Sequence, residues 1–259
     1  MANPSAIRID KRQNGHVDLT IDRAHKHNAL SRAVLAELAA AVRAQGRDPD
    51  TKFIVIQGAG DRYFAAGGDL VDLSSIRTPE AAKAMSTEAR AALDEIRSCQ
   101  VPVIAYLNGD AIGGGAELAL ACDMRLFRAG ARMGYVQAKL AITPAWGGGV
   151  DLCALVGAPR ALRMMARCEM VSAELALQWG LADAIVHDGR EGSDMREFLE
   201  PLLQRSPLIM RAIKRQTQAW RAGRGYAERR EAEQQDLVAT WTHDDHWRAA
   251  DNILSKAKS

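Results

Sequence analysis

The chain has 259 residues, of which 47% are hydrophobic, and its 34 Lys and Arg are matched by 32 Asp and Glu. A chain of this length and hydrophobic content buries a substantial core, so we expect one medium-sized globular unit that folds without disulfides. The formal charge of +2 is too balanced to indicate a nucleic-acid or anionic-membrane surface. We therefore expect a small-molecule partner, with no nucleic acid and no membrane.

The first ten residues lack a basic segment followed by an apolar run, and no stretch approaches the roughly 18 apolar residues of a membrane span. The four cysteines are scattered and form no Cys-x-x-Cys pair. Two short histidine pairs, at residues 25–27 and 243–246, have no further ligand to complete a metal site. These features predict a cytoplasmic protein with reduced core thiols and no bound metal.

The amino-terminal part of the chain predicts a hairpin, a helix and a buried strand. Residues 7–10 and 17–21 alternate apolar and polar side chains around an Asn-Gly pair, a pattern typical of a β-hairpin. Ser31 is a suitable N-cap for the helix that follows, in which apolar residues recur at helical spacing. The apolar run at residues 53–56 then predicts a buried strand.

The middle of the chain repeats the order strand, strand, helix. Residues 78–80 read Thr-Pro-Glu, which combines an N-cap, a proline at the first helical position and an acidic first turn. Strands are predicted at residues 101–105 and 124–127, with a short apolar helix at residues 117–122 between them.

The last part of the chain predicts helices at residues 173–179 and 195–203, followed by a long polar stretch from Ser206 onward. Three tryptophans stand among its charged residues: Trp220, Trp241 and Trp247. Large exposed apolar surfaces are usually covered, so we expect these rings to pack against the core or a neighbouring subunit.

Two glycine-rich segments are the most informative functional feature. Residues 64–70 read Phe-Ala-Ala-Gly-Gly-Asp-Leu, and residues 108–118 read Asn-Gly-Asp-Ala-Ile-Gly-Gly-Gly-Ala-Glu-Leu. Each follows a predicted strand and enters a bend that frees backbone N–H groups. Tight packing explains one such cluster, but the second also opens a helix, whose dipole favours negative charge at the same place. Together the two segments indicate an oxyanion hole.

A nucleotide-binding loop is the alternative explanation for these glycines. Residues 58–60 read Gly-Ala-Gly after a strand, but Tyr63 stands where the dinucleotide motif needs its third glycine. Gly109 and Gly114 have P-loop spacing, but Gly115 occupies the lysine position. The sequence therefore favours neither nucleotide fold.

At this point the sequence resembles the crotonase, or enoyl-CoA hydratase/isomerase, superfamily. The resemblance covers nearly the whole chain and is carried by residues 23–30, 64–70, 102–123, 144–148, 156–157, Ala176 and 180–181. It implies an α/β (α+β) fold made of a spiral of ββα repeats over residues 1–190, with a helical trimerisation region at 191–259. It also implies an acyl-CoA substrate, no cofactor beyond the CoA of that substrate, and a homotrimer or dimer of trimers.

The resemblance assigns roles to individual residues. The backbone N–H groups of Gly68 and Gly114 would donate to the thioester oxygen. The CoA moiety would be lined by Lys26, Ala29 and Leu30 at the adenine and phosphate end, and by Gly68, Asp69, Leu70 and Val71 at the pantetheine. Ala66 and Gly114 are further predicted contacts of the substrate.

Glu117 and Gln137 bear on the reaction. Glu117, in the first turn of the glycine-led helix, serves the helix dipole in an ordinary structural interpretation, but it resembles one of the two acid/base glutamates of enoyl-CoA hydratases. Gln137 stands where the second glutamate is expected, and an amide cannot take or give a proton at neutral pH. This argues against ordinary hydration and against double-bond isomerisation. The amide could instead donate a hydrogen bond to a carboxylate on the substrate.

Residues 135–148 look most like the ethylmalonyl-CoA and methylmalonyl-CoA decarboxylase branch. The sequence therefore predicts decarboxylation of a short malonyl-type CoA, with the enolate held in the oxyanion hole. Tyr135, Lys139 and Trp146 could shape the acyl pocket, although each also has an ordinary structural explanation.

Two alternatives remain open. One is an enoyl-CoA hydratase of fatty-acid or amino-acid degradation that uses Glu117 alone. The other is a non-catalytic or RNA-binding member, which is disfavoured because the helix at residues 31–45 has two arginines and no lysine.

Overall fold

The structure is a computed structural model that describes residues 5–256. Residues 1–4 and 257–259, at the outer ends of the two predicted regions, lie outside the described residues. Within the described part the strands are β1 Ile7–Lys11, β2 His16–Ile21, β3 Phe53–Gly58, β4 Tyr63–Ala65, β5 Val103–Leu107, β6 Asp110–Ile112, β7 Met124–Arg128, β8 Arg132–Gly134, β9 Met170–Ser172 and β10 Ala184–Val186.

The α-helices of the same part are α1 Arg32–Arg47, α2 Leu70–Leu73, α3 Pro79–Arg97, α4 Gly114–Ala121, α5 Gly148–Val156, α6 Ala158–Ala166, α7 Ala173–Trp179, α8 Glu191–Leu203, α9 Pro207–Arg221, α10 Tyr226–Trp241 and α11 Asp244–Lys256. Short 3-10 turns lie at Ala24–Lys26 and Gln137–Leu140.

The strands form two sheets that the chain visits alternately. The larger sheet has the order β1-β2-β3-β5-β7-β10 and is parallel apart from the antiparallel β1–β2 pair. The smaller sheet has the order β4-β6-β8-β9 and is parallel apart from β8–β9. The pairs β3–β4, β5–β6 and β7–β8 each place one strand in each sheet before a helix follows. The predicted repeat of strand, strand and helix, and the α/β class, are confirmed.

Local sequence signals explain several elements. The predicted hairpin forms, with Ile7 paired to Ile21. Ser31 Oγ accepts a hydrogen bond from Val34 N at 3.3 Å and Thr78 Oγ1 accepts one from Ala81 N at 3.2 Å, so both predicted N-caps are confirmed. The helix predicted at residues 173–179 has those bounds.

Three predicted boundaries were wrong by a few residues. The strand predicted from residue 101 begins at Val103, because Pro102 has no N–H to donate to the sheet. The helix predicted from residue 117 already begins at Gly114, and the one predicted from residue 195 begins at Glu191. In both cases the preceding polar or glycine residues continue the helix without adding an apolar position to the pattern.

The core has two parts on either side of the larger sheet. The main part joins α1, α3 and α4 to the two sheets, and β3 and β5 are buried over nearly their whole length. The smaller part packs Phe53, Ile104 and Leu126 against Leu199 of α8. Of the cysteines, Cys99 and Cys122 are buried, but Cys153 is exposed and Cys168 is half-buried, so the prediction of four core thiols was wrong for Cys153 and only partly right for Cys168. Cys153 lies on an exposed face of α5, and Cys168 lies in the turn after α6.

Helix α9 is fixed to the core by charged side chains. Lys214, of which 2% is exposed, pairs with Asp123 at the start of β7. The core does not cover the tryptophans that follow: Trp220 is 72% exposed, Trp241 53% and Trp247 48%. Of the two alternatives predicted for these rings, burial against the core is therefore excluded for the described chain, and burial against a neighbouring subunit stays a prediction. No helix within residues 5–256 combines the length and apolarity that a membrane span requires.

Candidate active site

The two glycine-rich segments meet at the ends of β4 and β6. A methyl group added at Gly67 would lie 3.0 Å from Ile112 O and 3.6 Å from Gly114 N, so the two turns are in direct contact. Gly67 and Gly113 have φ angles of +103° and +56°, which side chains rarely adopt. The Gly113 N–H donates to Gly134 O of β8 at 2.8 Å, which fixes the second turn to the smaller sheet.

The two predicted backbone donors are unpaired. Within residues 5–256, neither Gly68 N–H nor Gly114 N–H donates a hydrogen bond to another group of the chain. Gly114 is the first residue of α4, where N–H groups have no acceptor in the helix and the dipole is positive. The arrangement suits an oxygen that gains negative charge, although the catalytic role of the two glycines stays a prediction.

The indole ring of Trp146 packs against both of these glycines. A methyl group added at Gly114 would lie 2.3 Å from Trp146 Cζ3, and one added at Gly68 would lie 3.6 Å from Cη2. Trp146 is 7% exposed. Three residues were considered for the acyl pocket. Trp146 lies beside the predicted oxyanion hole and Tyr135 is buried, but Lys139 is exposed.

The two segments predicted to bind CoA lie side by side. Leu30 N–H donates to Gly67 O at 2.8 Å, Asp69 N–H donates to Leu30 O at 3.0 Å, and Ala66 N–H donates to His27 O at 3.1 Å. The backbone of residues 27–30 is thus hydrogen-bonded to that of residues 66–69. Leu30 pairs directly opposite Gly68, one of the two predicted donors.

An ion pair reinforces the contact between these two segments. Arg23 Nη2 lies 3.1 Å from Asp69 Oδ2, and both side chains are largely buried. Although burial acts to raise it, the hydrogen bond and charge of Arg23 hold the pKa of Asp69 below its ordinary value. Asp69 Oδ1 also accepts the Val71 N–H at 3.2 Å and so caps α2. Asp69 therefore has a structural role here, in addition to its predicted place beside the pantetheine.

The remaining predicted CoA contacts differ in exposure. Lys26, Leu70 and Val71 are exposed on the surface beside these segments, with Val71 at 81%, and Ala29 and Ala66 are half-buried. Leu30 is only 1% exposed. Its side chain belongs to the core, so only its backbone could contact a ligand.

Glu117 lies in the first turn of α4 and is almost completely buried. Its Oε2 accepts the N–H groups of Trp146 at 2.8 Å and Gly148 at 3.0 Å, and its Oε1 accepts Gln137 Nε2 at 3.2 Å. Burial raises the pKa of Glu117 above its ordinary value, against the lowering effect of these hydrogen bonds. The surface interpretation of this residue is excluded, and the group is able to hold a proton at higher pH than an exposed glutamate.

Gln137 lies directly beside the glycine turn. A methyl group added at Gly113 would lie 3.8 Å from Gln137 Cδ. The amide is oriented by chemistry, because only its NH₂ can donate to the ionised Glu117. Its Oε1 is buried and has no hydrogen-bond partner in the described chain. The structure thus brings Glu117 and Gln137 together, as the sequence predicted from the resemblance.

Gln137 lines an open cavity of about 810 Å³. Its lining also includes Tyr135, Pro144 and Ala145, apolar residues of α5 and α6, and the charged residues Arg97, Asp151 and Arg221. The Tyr135 hydroxyl is buried and has no hydrogen-bond partner in the described chain. Burial raises the pKa of Tyr135 well above its ordinary value, and the charge of Glu117 acts in the same direction.

No local pattern in the sequence predicted the contacts that hold the loop around Glu117. Trp146 and Gly148 contribute backbone N–H groups, which no side-chain pattern reveals. Arg97 donates to Trp146 O at 3.1 Å and pairs with Asp151 at 2.9 Å. The paired charges on α3 and α5 were visible in the sequence, but nothing in it indicated that they meet. In the described part of the chain, no group of three or more His, Cys, Asp and Glu is arranged to hold a metal ion.

Comparison with known proteins decides the family. Residues 11–258 match the protein family described as enoyl-CoA hydratase/isomerase. The chain belongs to the enoyl-CoA hydratase/isomerase family. It is an acyl-CoA enzyme of the crotonase superfamily, so the predicted family is confirmed.

Individual relatives differ in their reactions. The chain is 32% identical to a crotonyl-CoA hydratase of Syntrophomonas wolfei over 76% of this chain and 75% of the relative. It is 30% identical to the ethylmalonyl-CoA decarboxylase of Rattus norvegicus over 81% of this chain and 71% of the relative. The crystal structure of an enoyl-CoA hydratase from Bacillus anthracis superimposes with a TM-score of 0.89 at 27% identity, covering 97% of this chain and 96% of that one. The crotonase-like fold is thereby confirmed.

Proposed function

We propose that this enzyme decarboxylates a short malonyl-type acyl-CoA, such as methylmalonyl-CoA or ethylmalonyl-CoA. The observation that carries the proposal is the hydrogen bond from Gln137 Nε2 to Glu117 Oε1. Hydration of an enoyl-CoA by two carboxylates requires a water held between them and proton transfers at both. Here the position of the second carboxylate is an amide, which is itself bonded to the first.

Decarboxylation makes fewer demands on the site. The bond between the α-carbon and the carboxylate breaks, CO₂ leaves, and the electron pair passes to the thioester as an enolate. The N–H groups of Gly68 and Gly114 are unpaired and would stabilise the enolate oxygen. The α-carbon then takes up one proton. Within residues 5–256, Oε2 of Glu117 accepts two peptide N–H groups, whereas Oε1 accepts the Gln137 amide, so Oε1 is the oxygen assigned to carry that proton.

The charge of the site also favours a carboxylate-bearing acyl group. A second carboxylate about 4 Å from the substrate carboxylate would oppose it by about 4 kcal/mol at an effective dielectric near 20. Gln137 removes that repulsion. The amide uses one N–H for Glu117, and its second N–H can donate to the substrate. The similarity to the rat ethylmalonyl-CoA decarboxylase supports the same conclusion.

The second candidate is an enoyl-CoA hydratase that uses Glu117 alone. It is favoured by the 32% identity to the crotonyl-CoA hydratase of Syntrophomonas wolfei. The discriminating residue is Gln137, which cannot replace a proton-transferring glutamate.

The assembly and location are also proposals. We propose a homotrimer or a dimer of trimers, because α9, α10 and α11 expose large apolar side chains, including Trp220, Trp241 and Ile253. We further propose that the protein acts in the cytoplasm and uses no cofactor beyond the CoA of its substrate.

The experiment is incubation of the purified protein with a panel of malonyl-type and 2-enoyl acyl-CoA esters, with mass detection of the products. The proposal predicts loss of 44 mass units, about the mass of CO₂, from methylmalonyl-CoA or ethylmalonyl-CoA. Gain of water by crotonyl-CoA, with the malonyl-type esters unchanged, would establish the second candidate.

A further inference from the structure

Arg97, the last residue of α3, holds the loop that surrounds Glu117. Its Nη2 donates to Trp146 O at 3.1 Å, and the N–H of Trp146 in turn donates to Glu117. The guanidinium also packs against Gly147, since a methyl group added there would lie 2.8 Å from Nη2. The Arg97 side chain is 14% exposed. One largely buried cation therefore contacts the backbone between the two peptide N–H groups that bind Glu117.

Asp151 orients Arg97 and links it to a second arginine. Asp151 Oδ2 lies 3.0 Å from Arg97 Nε and 2.9 Å from Nη2, so one carboxylate oxygen contacts two guanidinium nitrogens. Its other oxygen, Oδ1, lies 3.0 Å from Arg221 Nη2. The Asp151 side chain is 16% exposed, so water screens these charges much less than it would on the surface.

Arg221 connects this cluster to the helix that carries Glu117. It lies at the end of α9 and donates to Ala121 O at 2.8 Å and to Leu120 O at 2.6 Å. These carbonyls belong to the last turn of α4, where a cation is favoured by the helix dipole. Arg97 thus contacts the loop at residues 146–148, Arg221 contacts the end of helix α4, and Asp151 joins the two arginines.

We propose that Arg97, Asp151 and Arg221 are positioning residues, which fix the peptide N–H groups of Trp146 and Gly148 against Glu117 and so set its proton-transfer activity. The planar fork of Arg97 makes three contacts at once: to Asp94, to Asp151 and to the Trp146 carbonyl. A lysine has the same charge but cannot make all three. The inference rests on the proposed role of Glu117 in proton transfer, but it does not depend on which acyl-CoA is the substrate.

The test measures exchange of the α-hydrogens of butyryl-CoA in D₂O by mass spectrometry. In this reaction Glu117 takes an α-proton, the enolate forms in the oxyanion hole, and a deuteron returns to the carbon. The variants are Arg97→Met, which keeps the aliphatic length, Arg97→Lys, which keeps the charge, and Asp151→Asn. The matched control is Arg43→Met, because Arg43 makes a bidentate pair with Glu95 on the exposed faces of α1 and α3.

We expect Arg97→Met to lower kcat for exchange about 10- to 100-fold, because a misplaced catalytic group loses its productive geometry. KM should change less than about threefold, since the predicted CoA segments are untouched. The loss of ordered N–H donors should raise the pKa of Glu117 and move the rising limb of the pH profile up by about one pH unit. Tyr135 is a titratable group whose pKa responds to the charge of Glu117, and measuring the same rising limb in Tyr135→Phe checks that the limb belongs to Glu117.

The kcat for exchange in Arg97→Lys should lie between the values for the wild type and Arg97→Met. Asp151→Asn should show the same loss of kcat and the same shift of the pH limb as Arg97→Met. Arg43→Met should show neither change. A purely structural role would lower the melting temperature and leave the pH limb in place, and that result would overturn the proposal. Absence of exchange in the wild type would overturn it as well. Exchange without decarboxylation of any malonyl-type ester, with the limb shifted in Arg97→Met, would support the positioning role while rejecting the proposed reaction.

Discussion

Gln137 donates a hydrogen bond from Nε2 to Oε1 of Glu117 across 3.2 Å, and both side chains are buried. By the sequence resemblance, this pair is predicted to stand where a hydratase of the family holds water between two glutamates. The remaining carboxylate oxygen is already bound by two peptide N–H groups. The site therefore contains one group that can transfer a proton and one that can only donate or accept hydrogen bonds.

Glu117→Gln tests the proton-transferring group. The amide oxygen can still accept the N–H groups of Trp146 and Gly148, so we expect the fold to be retained. Formation of the protonated product should slow by about 10²–10⁴-fold, the usual contribution of a general acid. Kinetics on the decarboxylated substrate measure this, and Glu88→Gln, an exposed glutamate paired with Arg32, is the control. Unchanged turnover in Glu117→Gln would exclude Glu117 as the acid.

Glu117→Gln also tests how the free energy of unfolding depends on pH. Burial raises the pKa of Glu117 in the folded state, so the folded protein binds this proton more tightly than the unfolded chain. The free energy of unfolding should therefore fall as the pH rises from the ordinary glutamate pKa through the raised one. Denaturant titrations across this range should show a smaller decrease for Glu117→Gln than for the wild type.

Gln137→Glu should reverse the preference of the site. It places a second carboxylate beside Glu117, which repels a malonyl carboxylate and raises one pKa of the pair. We expect decarboxylation to decrease and hydration of crotonyl-CoA to increase, as measured by the ratio of kcat/KM for the two substrates. Gln137→Met removes the amide without adding charge and should show no gain in hydration. If both variants change the ratio equally, the charge argument is wrong.

Gly114→Ala tests the contact with Trp146. The added methyl group would lie 2.3 Å from Trp146 Cζ3, so we expect lower stability and lower activity. Gly68→Ala should lower stability and activity less, because the nearest contact of its added methyl group is the flexible end of Leu73 at 3.0 Å. In a double-mutant cycle with Trp146→Leu, the coupling free energy should be about 1–3 kcal/mol. Additive effects on the free energy of unfolding would show that the ring is not the obstacle.

The exposed apolar side chains of the last three helices predict the assembly. Trp220, Trp241 and Trp247 are about half-exposed or more, and a monomer would leave them in water. Sedimentation velocity should show a trimer or a dimer of trimers at micromolar concentration. A monodisperse monomer would contradict this prediction.

Much of the fold could be predicted from local signals in the sequence. The hairpin, the caps at Ser31 and Thr78, and helix α7 depend on residues within a few positions of one another, and all are confirmed. The smaller sheet was not predicted, because strands of three residues such as β4 and β6 are too short to show a period.

In the site, too, local signals could be predicted and long-range contacts could not. The two glycine turns and Glu117 were visible because glycine and glutamate carry the signal themselves. The donors that hold Glu117 come from the backbone of residues about 30 positions away, and the Arg97–Asp151 pair joins different helices. Such contacts depend on the tertiary fold, so no local pattern announces them.

One competition experiment on the wild-type enzyme distinguishes decarboxylation from hydration. Ethylmalonyl-CoA and crotonyl-CoA are mixed at equal concentration, and the CO₂-loss and water-gain products are followed together by mass spectrometry. We expect ethylmalonyl-CoA to lose CO₂ faster than crotonyl-CoA gains water, because each missing acid/base group slows hydration about 10²–10⁴-fold. Rapid hydration of crotonyl-CoA with ethylmalonyl-CoA left unchanged would contradict it.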